Sequence, residues 1–348
     1  MAMIKRIVLG VVVLFVVVGT AVAYYSYRML YGSALDLNRE SITFYLQTDW
    51  DEKDVLESLT EIAGLRHPDF AETIMQKKNY RGKMVVPGKY TLQSDMGLNE
   101  LIDHLRAGNG EEEVQVTFNA ARKLSEIAGK VAVNIEADSA QIAEKLSDQA
   151  LAQKFGFNSA TFISMFFPDT YRMEWDTDAD EFIERMAAEY KRFWTAERIA
   201  KAKNYGLSQS EVSTLASIVQ AEQQVHPDER KVIAGLYLNR LRKGMRLQSD
   251  PTVVYAVGDF SINRVLTKHL STPSPYNTYT NKGLPPGPIN LPSKQSIDAV
   301  LNADENNYIF MCAKADFSGY HAFATSLSEH NRNARAFQQA LNDRKIYQ

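Results

Sequence analysis

Glu222 is the residue whose type and setting best suit proton chemistry. Ser208-Gln209-Ser210-Glu211 has the form of a capping box and opens a helical run through Gln224, with Leu215, Ile218 and Val219 at helical spacing. At about 100° per residue, Glu222 projects within about 60° of Leu215, Ile218, Val219 and Val225, while Gln220 and Gln224 point the other way. A carboxyl group on an apolar stripe is expected to be buried. Burial penalises the charged form and raises the pKa above its reference of about 4.3, which keeps a glutamic acid protonated for proton donation near neutral pH. The pattern also allows a helix-end glutamate that snorkels to solvent or meets Arg230 or Arg240.

The elements around Glu222 follow from the same reading. A second helix is expected from about Asp228, just after Pro227, to Lys243, stopped by Gly244, with Val232, Leu236 and Leu241 inward and the two helices forming a hairpin. Met245 to Tyr255 breaks the period and mixes polar with apolar residues, a texture common in loops that line clefts. Ser274-Pro275-Tyr276-Asn277-Thr278-Tyr279 and Gly283-Leu284-Pro285-Pro286-Gly287-Pro288 read as rigid, hydrogen-bonding, aromatic loop surface suited to sugar rings, or simply as turns that need this chemistry.

At 348 residues the chain has room for a membrane segment and two or three compact units. Its composition, 45% apolar and 23% charged, is that of a folded protein. With 39 basic against 42 acidic residues and no block of like charge, no field favours nucleic acid, which is excluded as an expected partner. Cys312 alone forms no intramolecular disulfide, and six scattered histidines without HExxH or CxxC spacing give no metal signal, so neither metal nor cofactor is expected.

Lys5 and Arg6 precede an uncharged apolar run from Ile7 to Tyr25, about the 20 residues that cross a bilayer, and Tyr24, Tyr25, Tyr27 and Arg28 form an interfacial collar. The alternative is a cleaved signal peptide, since Ala21-Val22-Ala23 resembles a cleavage site; run length and collar favour the anchor. Two basic residues before the span against one after it favour a cytoplasmic N-terminus.

From Ser41 to about Val133 a strand-then-helix pattern recurs: Ile42 to Leu46 leads into Val55, Leu56 and Leu59; Gly88 to Leu92 into Leu98, Leu101, Ile102 and Leu105; Val114 to Phe118 into Leu124, Ile127 and Ala128. Gly108 and Gly110 mark a break. Such strand-helix-helix-strand modules often bind polymers, and equally serve as spacers. Helical periodicity follows from Ser139 to about Ala202, interrupted at Phe166-Phe167-Pro168-Asp169-Thr170-Tyr171. That aromatic turn is a core plug or a sugar-stacking surface; the lack of polar partners favours the plug.

Three ordered runs carry a resemblance: Leu215 to Glu222; Leu238-Asn239-Arg240-Leu241 with Gly244 to Val253; and Tyr276-Asn277-Thr278-Tyr279 with Gly283 to Ile289. Together they resemble the endolytic murein transglycosylase (YceG-like) family, closely from Leu215 to His321 and in layout elsewhere. The resemblance implies a single-pass inner-membrane protein whose catalytic domain lies in the periplasm. It implies an α+β fold: a transmembrane anchor (1–31), a LysM-like βααβ module (41–133), a helical connection (134–204) and an α+β catalytic domain (205–348). It further implies cleavage within peptidoglycan glycan strands without water, and Glu222, which ends the Ala-Ser-Ile-Val-x-x-Glu run, as the catalytic residue. Gln220 stands where relatives often carry a glutamate, and Asn119-Ala120-Ala121 where they often carry Glu-Gly.

On this reading Glu222 protonates the oxygen of the MurNAc-GlcNAc β-1,4 bond and then takes the proton of the MurNAc 6-hydroxyl as a 1,6-anhydro end closes. Gln248, Asp250, Tyr276, Asn277, Tyr279 and His321 are expected to bind substrate. An ordinary glycosidase needs a second carboxyl group about 5–9.5 Å away, and Asp250 is the candidate if the enzyme is instead a hydrolytic muramidase. A non-catalytic scaffold that binds peptidoglycan is the third reading. Expected partners are glycan strands, peptidoglycan synthases and the membrane.

Overall fold

The computed structural model describes residues 2–108 and 113–344. Gly110, expected at a break, lies outside the described residues, whereas Gly108 sits in the left-handed region with φ +65°. Architecture is mixed α and β, and the chain divides into two compact units. The first holds residues up to 116 with 134–137 and 172–178; the second holds 117–133, 138–171 and 179 onward.

In the first unit, helix α1 (Ala2–Tyr31) is apolar along its length, long enough to cross a membrane, and exposed throughout its apolar run. Strand β1 (Ser41–Leu46), helices α2 (Glu52–Ala63) and α3 (Pro68–Lys77), strand β2 (Gly88–Gln93) and helix α4 (Leu98–Arg106) follow. β1 and β2 pair antiparallel from Ser41 opposite Gln93 to Leu46 opposite Gly88. Alternation sends Ile42, Phe44 and Leu46 inward, where they meet Val55 and Leu59 of α2 and Leu101 and Leu105 of α4 in one core. Asp51 starts α2 as a complete capping box with Asp54. Gly97 is needed for close approach, since a Cβ there would lie 2.8 Å from the Leu30 carbonyl oxygen at the end of α1.

Strand β3 (Val114–Phe118) is followed by helices α5 (Leu124–Val131), α6 (Ser139–Ser147) and α7 (Gln149–Lys154), and then by strand β4 (Asp169–Met173), with which β3 pairs. Phe166, Phe167 and Tyr171 are buried, so the aromatic turn is a core plug. Helices α8 (Ala179–Phe193), α9 (Ala196–Asn204), α10 (Gln209–Glu222), α11 (Arg230–Arg242), α12 (Asp250–Val257), α13 (Thr267–Leu270) and α14 (Lys294–Leu301) come next. A hairpin of β5 (Phe310–Ala313) and β6 (His321–Ala324) and the helix α15 (Leu327–Asp343) complete the second unit.

Helix α10 is the axis of that unit. It was expected to show one apolar stripe; instead every residue from Val212 to Val219 is buried, and α9, α11, α12 and α14 pack around it. Small hydroxyl residues permit this, because they can bond to their own helix: Thr214 Oγ1 donates to the Ser210 carbonyl and Ser217 Oγ to that of Thr214. Ser217 Oγ also accepts from the Ile289 amide, which ties the 283–292 loop to the helix.

Three expectations change. On α11 Leu236 is fully buried but Val232 and Leu241 only partly, and the inward face also carries Ile233, Tyr237 and Arg240. The stretch from Asp250 to Tyr255 is helix, because Pro251 falls in the first turn, where its fixed φ fits and no amide is missed. The Pro-Gly run is surface only in part: Pro286 is exposed, but Pro285, Gly287, Pro288 and Ile289 are buried.

A Cβ at Gly287 would lie 2.0 Å from the Ala160 carbonyl oxygen. Gly287→Ala is therefore expected to destabilise the protein by about 1–3 kcal/mol through forced backbone displacement. Urea denaturation of the full chain checks this, and an unchanged midpoint would refute it.

Candidate active site

Glu222 ends α10, with its side chain directed at α11 and at the turn before α12. The Tyr237 hydroxyl donates to Oε1 over 2.8 Å and Ser249 Oγ donates to the same oxygen over 2.5 Å. Among the described residues Oε2 accepts no hydrogen bond. Both donors fall on Oε1, which leaves Oε2 as the oxygen able to carry a proton when the group is protonated.

The residue as a whole keeps some surface, yet its carboxyl is densely surrounded. Burial raises its pKa, and the nearby Asp250 charge adds to the rise; the hydrogen bonds from Ser249 and Tyr237, and His321, pull the other way without cancelling it. Among the described residues no lysine or arginine pairs with Glu222. Arg230 instead gives Nε to the Gln223 carbonyl and Nη1 to Ser296 Oγ. Arg240 gives Nε to the Ile309 carbonyl and Nη1 to the carbonyls of Arg246 and Leu247 and to Gln248 Oε1.

The donors are themselves fixed. Tyr237 lies on the buried face of α11, and burial pushes its phenol well above the usual value, so it stays a donor. Ser249 occupies the N-cap position of α12 but makes no side-chain cap, its hydroxyl being turned to Glu222. Its amide donates to Thr278 Oγ1, which also bonds Thr252 Oγ1.

A cavity of about 230 Å³ opens on Glu222, walled by Tyr237, Arg240, Gln248, Asp250, Tyr279 and His321 among others. Gln248 has φ +53°, unusual for a residue with a side chain, and its amide donates to the Thr278 carbonyl. Asp250 is exposed and accepts the Tyr279 hydroxyl at 2.6 Å. Burial, and then that bond, push the Tyr279 phenol up. Cys312 also lines the cavity.

Of the expected site residues, Glu222, Gln248, Asp250, Tyr279 and His321 come together at this cavity, and Tyr276 and Asn277 are not among its walls. Tyr276 packs on Tyr255 with ring centroids 4.7 Å apart, and burial pushes its pKa up to about 12. Asn277 is fully buried, its amide given to the carbonyls of Leu270 and Thr272 and its Oδ1 taking the Tyr279 amide. It braces the loop that carries Tyr279.

Sequence reasoning missed Tyr237, Ser249 and Glu229. Ser249 lay inside a run already singled out, and Tyr237 directly precedes Leu238-Asn239-Arg240; neither had a spacing that tied it to Glu222. Glu229 is buried and accepts the His321 amide at 2.8 Å on Oε1, and His321 Nδ1 and Gln223 Nε2, each at 2.7 Å, on Oε2. Burial alone would raise its carboxyl, but these donors hold it below the usual value. Gln220 is spent on α14, its Oε1 accepting the Ser293 amide and Ser296 Oγ.

A family model described as YceG-like matches residues 44–336. A protein of Bacillus subtilis named endolytic murein transglycosylase is 32% identical over 272 residues, covering 74% of this chain and 74% of its own length. One of the same name from Streptococcus pneumoniae is 26% identical over 353 aligned positions, covering 90% of this chain but 62% of its own length, less than two thirds. The crystal structure of a YceG-like protein from Listeria monocytogenes superposes with a TM-score of 0.55 over 84% of this chain and 98% of its own, at 24% identity, a likeness of fold.

The raised Glu222 pKa carries a stability signature. Below the range of an unfolded carboxyl, about pH 4, both folded and unfolded chains hold this proton. As pH rises the unfolded chain releases it first, so folding loses stability until the folded group also ionises. Glu222→Gln lacks this titration. Its melting temperature is expected to gain on that of the wild type as pH climbs from about 4 to 8, and parallel curves would refute the assignment.

Proposed function

The chain belongs to the YceG-like family, and from that premise we propose that it is an endolytic lytic transglycosylase of peptidoglycan with Glu222 as its catalytic acid. The observation that carries this reading is the Glu222 carboxyl itself: buried, raised in pKa, with one oxygen locked by two donors and the other open, in a polar cavity. Oε2 gives its proton to the oxygen of the MurNAc-GlcNAc β-1,4 bond as C1 becomes oxocarbenium-like. The C1–O bond breaks, the MurNAc 6-hydroxyl oxygen bonds C1, and its proton ends on the Glu222 carboxylate, which restores the acid and leaves a 1,6-anhydro end. Gln248, Asp250, Tyr279 and His321 hold the sugars at the cavity, and Tyr276 and Asn277 support the loop behind them.

The wider assignment is part of the same proposal. Residues 1–31 anchor the chain as a single pass, with 205–348 as the catalytic domain on the periplasmic side and 134–204 connecting. The region 41–133 is a LysM-like glycan-binding module, a reading supported by the β1-α2-α3-β2 order with paired outer strands. Cutting nascent strands would end glycan polymerisation and bring the protein beside peptidoglycan synthases.

One observation favours a second reading. Asp250 shares the cavity with Glu222 and stays open to solvent, as a carboxylate activating water in a hydrolytic muramidase must be.

Mass spectrometry of fragments released from purified peptidoglycan by the full chain decides between the two. The expected products end in 1,6-anhydro-MurNAc, one water lighter than reducing ends, and Glu222→Gln is expected to lower the rate at least about 100-fold. Reducing ends would replace the lytic reading with the hydrolytic one, and full activity in Glu222→Gln would overturn the site.

A further inference from the structure

Strand β1 leaves one edge of its sheet open, because it pairs with β2 alone. The Ser94 amide donates to the Glu40 carbonyl, and the register sets these two residues opposite each other, so the hydrogen-bonded pairs continue at Ile42, Phe44 and Leu46. Thr43 and Tyr45 therefore turn their backbone N–H and C=O groups away from β2. Among the described residues those groups have no partner. Such an edge is a template for another strand.

A groove of about 540 Å³ lies between that edge and α2. Asp54, Glu57, Ser58, Glu61 and Ile62 wall it from the helix, at the spacing of a single helix face. Its charged walls are all acidic. Asp54 is committed to the Asp51 amide at the start of the helix, whereas Glu57 and Glu61 are exposed and meet no cation among the described residues. Ser58 is only 8% exposed, and its hydroxyl has no hydrogen-bond partner among the described residues. A buried hydroxyl left unpaired is costly, and an occupant of the groove that reaches it supplies the missing bond. Tyr45 and Trp50 add aromatic surface, and the Tyr45 ring is braced by Trp175 with centroids 4.8 Å apart.

We propose that this groove docks an extended, basic segment of a partner protein, which joins β1 as a third strand. Alternate residues of the segment face α2, where their cationic groups meet Glu57, Glu61 and the Ser58 hydroxyl, and the residues between them fall on the side of Tyr45. The free backbone groups of Thr43 and Tyr45 select a peptide, and the two glutamates select its charge. A glycan strand, neutral or acidic along its sugars, leaves both glutamates uncompensated. The groove thus takes a ligand apart from the chemistry proposed for Glu222.

Fluorescence anisotropy on the full chain in detergent tests this, with a labelled peptide of about seven residues that alternates lysine with valine. Binding is expected at micromolar concentration in low salt, and at least about tenfold weaker for a peptide alternating glutamate with valine. Glu57→Lys with Glu61→Lys, both at exposed positions of α2, is expected to weaken the lysine peptide by a similar factor. N-methylation of alternate peptide amides separates strand addition from charge attraction on the unaltered protein. One set of amides faces β1, and its methylation is expected to abolish binding, while methylation of the other set leaves it within about threefold. No binding of the lysine peptide, unchanged binding to the double variant, or equal behaviour of the two methylated sets overturns the docking site. Glycan chains stripped of their stem peptides are expected not to displace the peptide, and displacement would make the groove a glycan site and overturn the proposal as well. Every arm reads binding, so none depends on Glu222.

Discussion

A buried carboxyl group held by two hydroxyl donors on one oxygen is the interaction on which the site depends. Burial and hydrogen bonding act on Glu222 in opposite directions, and burial wins. The donors still matter, because they decide where the proton resides. With both on Oε1, ionisation and protonation concern Oε2, which has no hydrogen-bond partner among the described residues. Removing either donor would leave the other to hold the carboxyl and cost about 1–3 kcal/mol if a buried acceptor were left short. The position of the side chain on the helix adds to the effect. Glu222 closes α10, where the partial negative charge of the helix C-terminus disfavours an anion by about 0.3–1 kcal/mol at surface sites.

Each donor transmits a demand to the fold. Tyr237 must come from α11 at the level of the end of α10, which fixes how the two helices pack. Ser249 must turn its hydroxyl away from α12, which it would otherwise cap, giving up a contribution typically near 1 kcal/mol. The turn that presents it is held by Arg240, whose guanidinium is spent on the carbonyls of Arg246 and Leu247. Gln248 sits between them with positive φ, so the sparsely populated conformation falls at the cavity wall rather than in the core.

What the sequence made legible follows from range. The capping box of α10, the apolar setting of Glu222 and the alternation of β1 and β2 are local patterns, and they appear where the local pattern puts them. The partners of Glu222 lie 15 and 27 residues away, and Glu229 and His321 are 92 apart, so no window on the chain links them. Two misreadings have a common cause. The single stripe expected of α10 did not extend to Thr214 and Ser217, although a hydroxyl that bonds its own helix can be buried. The loop expected over Met245 to Tyr255 did not allow for Pro251 in a first helical turn, where a proline lacks only an amide that the helix does not use. Polarity and proline were read by type, where position within the helix decides.

Asp250 shows how one charge serves either chemistry. It is exposed to solvent and accepts the Tyr279 hydroxyl, and its negative charge raises the pKa of Glu222. On the proposed lytic mechanism the same negative charge also offsets the positive charge that develops at C1, so Asp250 contributes without forming a bond or moving a proton. On the hydrolytic alternative it must in addition orient a water against C1, with Tyr279 already occupying Oδ1 and only Oδ2 left for that work. The lytic route asks less of it, because the nucleophile is the substrate's own hydroxyl and arrives already placed by the sugar ring.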